Sequence, residues 1–321
     1  MANPKWGNET IITEFILLGF TDLPKLQILL FLVFLVIYIA TVAGNLLIVV
    51  LVVSDRHLHT PMYFFLGNLS CLETCYSSTI LPRMVASFLT GDKMVSLSGC
   101  CTQWYFCGFL GGTECYLLAV MSYDRYLAIC KPLHYATFMN GRLCMQLAAA
   151  SWISGNIAAS ITIALLLQLT YCGSNGIDHF FCESLSLIKL SCSDTHVIEL
   201  LSFVVAFIFT LPPFLLTVIS YIYIIATILK IPSTIGRQKA FSTCSSHLIV
   251  VSSFYGAIII VYLLPKTETM RDMYKVFSVF YTVLPPMVNP LIYSLRNKEV
   301  KEALRKALSK FKIDFLLQLI W

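Results

Sequence analysis

From Leu26 to Val53 the chain runs 28 positions without an Asp, Glu, Lys or Arg. A helix needs about 20 apolar residues to cross a hydrocarbon layer roughly 30 Å thick, so this run reads as a membrane span. Comparable segments follow at about 61–84, 98–122, 143–168, 197–229, 240–264 and 273–294, seven spans in all. They are long single runs, not the alternating segments of about ten residues that build an outer-membrane barrel. Helices are the other way to pair every backbone polar group inside lipid. The expected fold class is an all-α membrane protein, a seven-transmembrane helix bundle with a short amphipathic cytoplasmic helix after helix seven. The expected divisions are an extracellular tail over 1–25, the bundle over 26–294 and a cytoplasmic tail over 295–321.

Composition agrees with the spans: 58% of the residues are hydrophobic and 12% charged, against about 25% charged in soluble domains. Lys and Arg set the orientation. The loops holding Arg56, Arg125, Lys131, Arg142, Lys230, Arg237 and Lys239, with the tail from Arg296 onward, contain 14 of the 22 basic residues but 5 of the 17 acids. By the positive-inside rule that side is cytoplasmic and the N-terminus extracellular. The first 25 residues lack a basic start and a small-residue cleavage site, so no removable signal peptide is expected. The halves show no internal repeat, which argues against a transporter. The net charge of +5 belongs mostly to cytoplasmic loops, and no folded basic domain suggests nucleic acid as a partner. Nothing clusters a nucleophile, a base and oxyanion donors, so the chain is not read as an enzyme. Membrane lipid is its solvent.

The cysteines sort by depth. Cys71, Cys75, Cys107, Cys115, Cys130, Cys144 and Cys244 lie in or beside helices, where Cys is usually a small packed hydrophobe. Cys100, Cys172, Cys182 and Cys192 face the oxidising side, where disulfides form. Four cysteines allow three pairings, and spacing alone does not choose among them. Asn8, in "NET", is a glycosylation sequon in the N-terminal tail. Asn68 fits the same pattern but falls inside the second span.

Polar residues at mid-span are costly and mark functional positions. Glu73 lies roughly 20 Å into the second span and Glu114 roughly 16 Å from Arg125, at 1.5 Å per residue. Asn45 and Asn289 are further mid-span polar groups. Two readings stand side by side: protonated acids bonding between helices, or oxygen ligands for a hydrated cation. Asp124 and Arg125, at the inner exit of helix three, read either as a structural ion pair or as a charge pair that opens when helices shift. Pro290 is expected to interrupt helix seven, and Pro212–Pro213 helix five.

The motifs "GNLLIV" (44–49), "LHTPMYFFLGNLS" (58–70), "MSYDRYLAICKPLHY" (121–135), "SY" (220–221), "KAFSTCSSHL" (239–248) and "PMVNPLIYSLRNKEV" (286–300) resemble those of the rhodopsin-like G-protein-coupled receptors, and within them the tetrapod-type (class II) odorant receptors. The likeness covers residues 12–308 or so. It implies a Cys100–Cys182 disulfide, which leaves Cys172–Cys192 as the second bridge. It implies that Arg125, flanked by Asp124 and Tyr126, engages a G protein once released. Tyr221, His247, Pro290 and Tyr293 would belong to the same inner switch, although a satisfied core histidine is a bland alternative for His247. Glu73, Glu114 and Asn289 would surround a sodium-type pocket, with Glu73 standing where the family usually has Asp. No cofactor is otherwise implied.

Cys107, Gly108, Gly111, Gly112 and Cys115 recur at helical spacing on helix three, a run of small residues that suits either a cavity or a tight helix contact. Tyr255, Ile258, Ile259 and Tyr262 form a stripe on helix six with two hydroxyls. The family's pocket position adds Val205, Ala206, Phe209 and Thr282. Cys107 stands where aminergic receptors carry an Asp, and no lysine lies between Val276 and Asn289 to hold retinal. The expected ligand is therefore a small, neutral, mostly apolar volatile, bound by Tyr262 or Tyr255. The expected function is an odorant receptor in the plasma membrane, coupled to an olfactory-type stimulatory heterotrimeric G protein that raises cAMP. Sensing of a non-odour metabolite is the alternative within receptors, and a channel the alternative outside them.

Overall fold

The computed structural model describes residues 12–19, 26–263, 271–296, 299–307 and 309. The helices are α1 (Gln27–Ser54), α2 (Pro61–Thr90), α3 (Leu97–Cys130), α4 (Pro132–Phe138), α5 (Gly141–Leu166), α6 (Ser184–Lys189), α7 (His196–Leu229), α8 (Thr234–Leu263), α9 (Arg271–Thr282) and α10 (Leu284–Arg296). The seven spans are α1, α2, α3, α5, α7, α8 and the α9–α10 pair, while α4 and α6 are short loop helices. Residues 299–307 are helical beyond them.

Local chemistry starts and stops these helices. Asn140 accepts from the Leu143 N–H at 2.9 Å at the head of α5, and Ser96 accepts from the Gly99 N–H at 3.1 Å at the head of α3. Each supplies one of the donors a helix start leaves unpaired. Pro61 opens α2, where its missing N–H costs nothing, and Gly91 closes it at φ +70, a conformation glycine adopts without strain.

The α3 helix is central and packs on α2, α5, α7 and α8, while α1 packs on α2 and α10. Among the described residues, α1, α5 and α7 are the helices long and apolar enough to cross a membrane by themselves. They present Ile28, Leu32, Val36, Ile157, Leu200, Phe203 and Ile222 outward. The α2 and α3 helices bury Glu73, Ser77, Thr113, Glu114 and Asp124, so protein rather than lipid shields their polar groups.

Two proline expectations are corrected. The α7 helix runs unbroken through Pro212 and Pro213, and Pro290 lies inside α10. Membrane helices tolerate proline when the freed backbone groups find other partners. The seventh span instead breaks at Val283, where Pro285 and Pro286 follow in the next turn without N–H groups.

The structure also adds β strands to the expected all-helical chain. β1 (Glu14–Leu17) lies between β2 (Met94–Ser96), antiparallel to it, and β3 (Gly176–Ile177), parallel to it. The sheet covers the end of the bundle at which α3 begins. Phe15 is fully buried beneath it, edge-on to Tyr171 with ring centroids 5.3 Å apart. Disulfides join Cys100 to Cys182 and Cys172 to Cys192, fixing the long loop to α3 and to itself. Lys275 of α9 pairs with Asp178 of that loop.

Candidate functional site: an inner polar latch and a buried carboxylate pair

The C-terminal end of α3 carries the first cluster. Arg125 Nη2 donates to Asp124 Oδ2 at 2.7 Å and Nε donates to the same oxygen at 3.1 Å. The Asp124 side chain is fully buried, and a buried charge needs both a counter-ion and further hydrogen bonds. Tyr135 of α4 supplies one, its hydroxyl donating to Asp124 Oδ1 at 2.8 Å. Burial, then the Asp124 charge, pushes the Tyr135 phenol well above its ordinary range, so it stays protonated and donating. Sequence reasoning missed Tyr135 as a partner. The available signal was its place in the quoted "KPLHY" stretch, a hydroxyl beside the only acid of that inner loop region.

Close to this latch, Tyr221 OH and His247 Nδ1 are 2.6 Å apart across α7 and α8, both buried. Cys130 Sγ and Thr227 Oγ1, 3.2 Å apart, tie α3 to α7. Tyr126 stacks on Tyr123 and tilts against Tyr223. Arg125 and His247 thus bring α3, α7 and α8 together at one end of the bundle. For Tyr293 the described structure covers the backbone alone.

The second cluster lies deeper. Asn289 Nδ2 donates to Glu73 Oε1 at 2.5 Å. Among the described residues Glu73 Oε2 and Glu114 Oε1 are buried without a hydrogen-bond partner, and the two carboxyls lie within electrostatic reach of each other. Asn45 Nδ2 donates to Thr41 O and to Pro286 O, while its Oδ1 and Thr41 Oγ1, also on α1, have no partner among the described residues. Oxygen atoms dominate the unpaired groups, the donor chemistry that suits a hard cation or water.

The candidate ligand residues divide. Cys107, Cys115, Tyr255 and Thr282 are buried, and Val205, Phe209 and Ile258 half-buried. The Tyr255 hydroxyl donates to Cys115 O at 3.1 Å and ties α8 to α3, while Thr282 donates to Ser278 O at 2.7 Å. Gly112 faces α5: a Cβ there would meet the Gly155 Cα at 3.2 Å, so this glycine serves a tight helix contact. Gly108 lies under the Trp104 ring of its own helix and Gly111 faces Tyr76 of α2. Ala206 is exposed on the outer face of α7, one position off the inward stripe of Val205 and Phe209. The side chains of Ile259 and Tyr262 lie outside the described residues, as does Asn8.

Seven membrane helices around a polar core, with an Asp–Arg pair at one end and a disulfide-held loop at the other, define a multi-pass membrane receptor of the rhodopsin-like form. A family model described as "Olfactory receptor" matches residues 34–311. The chain is 52% identical over 305 residues to olfactory receptor 5B21 of Homo sapiens, covering 94% of this chain and 98% of that protein. It is 48% identical over 306 residues to olfactory receptor 5AP2 of Mus musculus, covering 95% and 96%. It is 48% identical over 302 residues to olfactory receptor 1f45 of Rattus norvegicus, covering 94% and 96%. The chain belongs to the olfactory receptor family, whose members are odorant receptors and not enzymes.

Proposed function

We propose that a small, mostly apolar volatile binds among α3, α7, α8 and α9, and that its binding opens the Arg125 latch to an olfactory-type stimulatory G protein, raising cAMP. The observation that carries this reading is the Asp124–Arg125–Tyr135 cluster. An arginine held at 2.7 Å by a fully buried acid is a charge stored out of reach of a partner, and a small helix shift that favours an alternative packing would release it. A ligand achieves this only through differential affinity for the open state. Cys107, Val205, Phe209 and Ile258 supply an apolar lining. The Tyr255 hydroxyl donates to Cys115 O and keeps its oxygen as an acceptor, so a ligand hydrogen bond falls to Tyr255 as acceptor or to Tyr262.

Plasma-membrane residence with the N-terminus outside is part of the same reading. Both disulfides lie at the sheet-covered end, which suits an oxidising exterior, and the basic loops lie at the other. A sodium ion is proposed between Glu73, Glu114 and Asn289, where the buried Glu73 Oε2 and Glu114 Oε1, without a hydrogen-bond partner among the described residues, fit such an ion. There it would neutralise carboxylate charge and hold α2, α3 and α10 together.

The test is a cAMP reporter in cells expressing the chain with a stimulatory G protein, screened with neutral volatiles at confirmed surface delivery. A dose-dependent response that Arg125→Ala abolishes without loss of surface protein supports the reading. Responses confined to charged ligands, or unchanged in Arg125→Ala, overturn it.

A further inference from the structure

Strand pairing brings two cations to one small cavity at the sheet-covered end of the bundle. Gly91 turns the chain at φ +70 after α2, and Asp92 Oδ1 then accepts from the Met94 N–H at 2.9 Å. That turn leads into β2, where the Lys93 carbonyl accepts from the Leu17 N–H of β1 at 2.9 Å. Arg83 lies two turns before the end of α2, and its Nη2 donates to Met94 O. The Arg83 and Lys93 side chains line a cavity of about 30 Å³, with Met84, Phe88 and Phe180 among its apolar walls. Its described lining includes no acid. Asp92 is not part of that lining: its side chain is 56% exposed, and Oδ2 stands 3.7 Å from Arg83 Nη1, beyond hydrogen-bond length. Among the described residues no acid pairs with Lys93.

We propose that this cavity is a second binding site, separate from the pocket among the helices, for a small organic carboxylate. Two cations that line one space repel each other, and a single anion between them turns that repulsion into two attractions. Size selects the head group. One water needs roughly 10–15 Å³ of such space, so the cavity holds two or three atoms of that size, as a carboxyl group has. Shape selects it again: the flat fork of a guanidinium matches the two oxygens of a carboxylate, which a spherical halide does not offer. Met84, Phe88 and Phe180 supply apolar surface for a short alkyl tail. The inference uses no residue of the volatile's pocket or of the Arg125 latch, so it stands or falls apart from that reading.

Thermal unfolding of the solubilised full-length receptor tests this. A ligand that binds only the folded state raises the midpoint as its concentration grows. Sodium propionate is the probe, with sodium chloride at equal concentration and the neutral isostere propionamide as references. The expected result is a rise in Tm with propionate beyond that with either reference. In Lys93→Gln the concentration needed for the same rise should increase roughly tenfold, the loss of one charge-assisted hydrogen bond. Lys93→Arg, which keeps the charge, should stay close to unsubstituted. Arg83→Gln should lose the response as well, and if it does not fold, the Lys93 pair decides alone. Asp22 is the acid that falls in sequence between Gly19 and Gln27, both of which line the cavity, so Asp22→Asn is measured beside them. An equal rise with chloride or propionamide, or a propionate response unchanged in Lys93→Gln, overturns the proposal. So does the absence of a propionate response in the unsubstituted receptor, and its appearance only in Asp22→Asn would give the cavity to the chain's own carboxylate.

Discussion

Asn45 Nδ2 lies 2.9 Å from the Pro286 carbonyl oxygen, the acceptor that Pro290, four residues on, leaves without its intrahelical donor. The preceding residue completes the fit: a Cβ on Gly44 would stand 3.1 Å from the Pro290 Cβ. Gly44 admits the ring and Asn45 replaces the hydrogen bond that the ring removes, which is how α10 continues through a proline.

Asn45→Ala should therefore destabilise the receptor by about 1–3 kcal/mol, the cost of leaving a buried acceptor unpaired. In a Pro290→Ala background, where residue 290 again has an N–H to give, the same change should cost less. Thermal unfolding of the solubilised receptor for the four members of this cycle reads the coupling. Equal costs in both backgrounds would rule out the replacement role.

Tyr135→Phe removes a donor to a buried carboxylate while leaving the Arg125 contacts in place. Hydrogen bonds to charged groups contribute about 1.5–3 kcal/mol, and loss of one on the closed side shifts population toward the open state. Basal cAMP should rise several-fold at equal surface density without a change in ligand identity. Basal signalling equal to that of the unsubstituted receptor would remove Tyr135 from the latch.

Gly155 packs α5 tightly against α3. A Cβ there would fall 2.3 Å from Thr113 Oγ1 and 2.5 Å from Phe109 O. A backbone atom cannot swing aside, so Gly155→Ala should cost at least the roughly 1–3 kcal/mol of overpacking and sharply reduce surface delivery. Gly141→Ala, with nothing within 4 Å of its Cβ, is the matched control and should be close to neutral.

Much of this was legible because lipid imposes a simple rule. A run such as Leu26–Val53, without charge, has few structures open to it, and the Lys/Arg bias follows from insertion rather than packing. The buried polar residues Glu73, Glu114, Asn289 and Asp124 were visible for the same reason, since their cost makes them conspicuous. The outer sheet was not legible: strands of four, three and two residues carry little periodicity, and their pairing joins residues far apart in the chain. Proline was misread at 212–213 and 290 because its effect depends on who satisfies the freed carbonyl, a tertiary fact. The small residues of α3 were likewise ambiguous, and only the position of α5 assigns Gly112 to a helix contact instead of a cavity.

The carboxylate cluster yields the last prediction. Glu73 Oε1 already accepts from Asn289 while Oε2 has no partner among the described residues, so Glu73→Gln keeps an acceptor for Asn289 and removes the charge that would hold a cation. With a bound sodium ion tying α2, α3 and α10 in the closed arrangement, basal cAMP of the unsubstituted receptor should fall as sodium replaces choline outside the cell. Glu73→Gln should flatten that dependence while preserving surface delivery, because its packing and its Asn289 contact remain. A ligand that binds both states equally shifts nothing, so a sodium-independent basal signal in the unsubstituted receptor would show that no such ion biases the equilibrium. The orphaned oxygens would then belong to water.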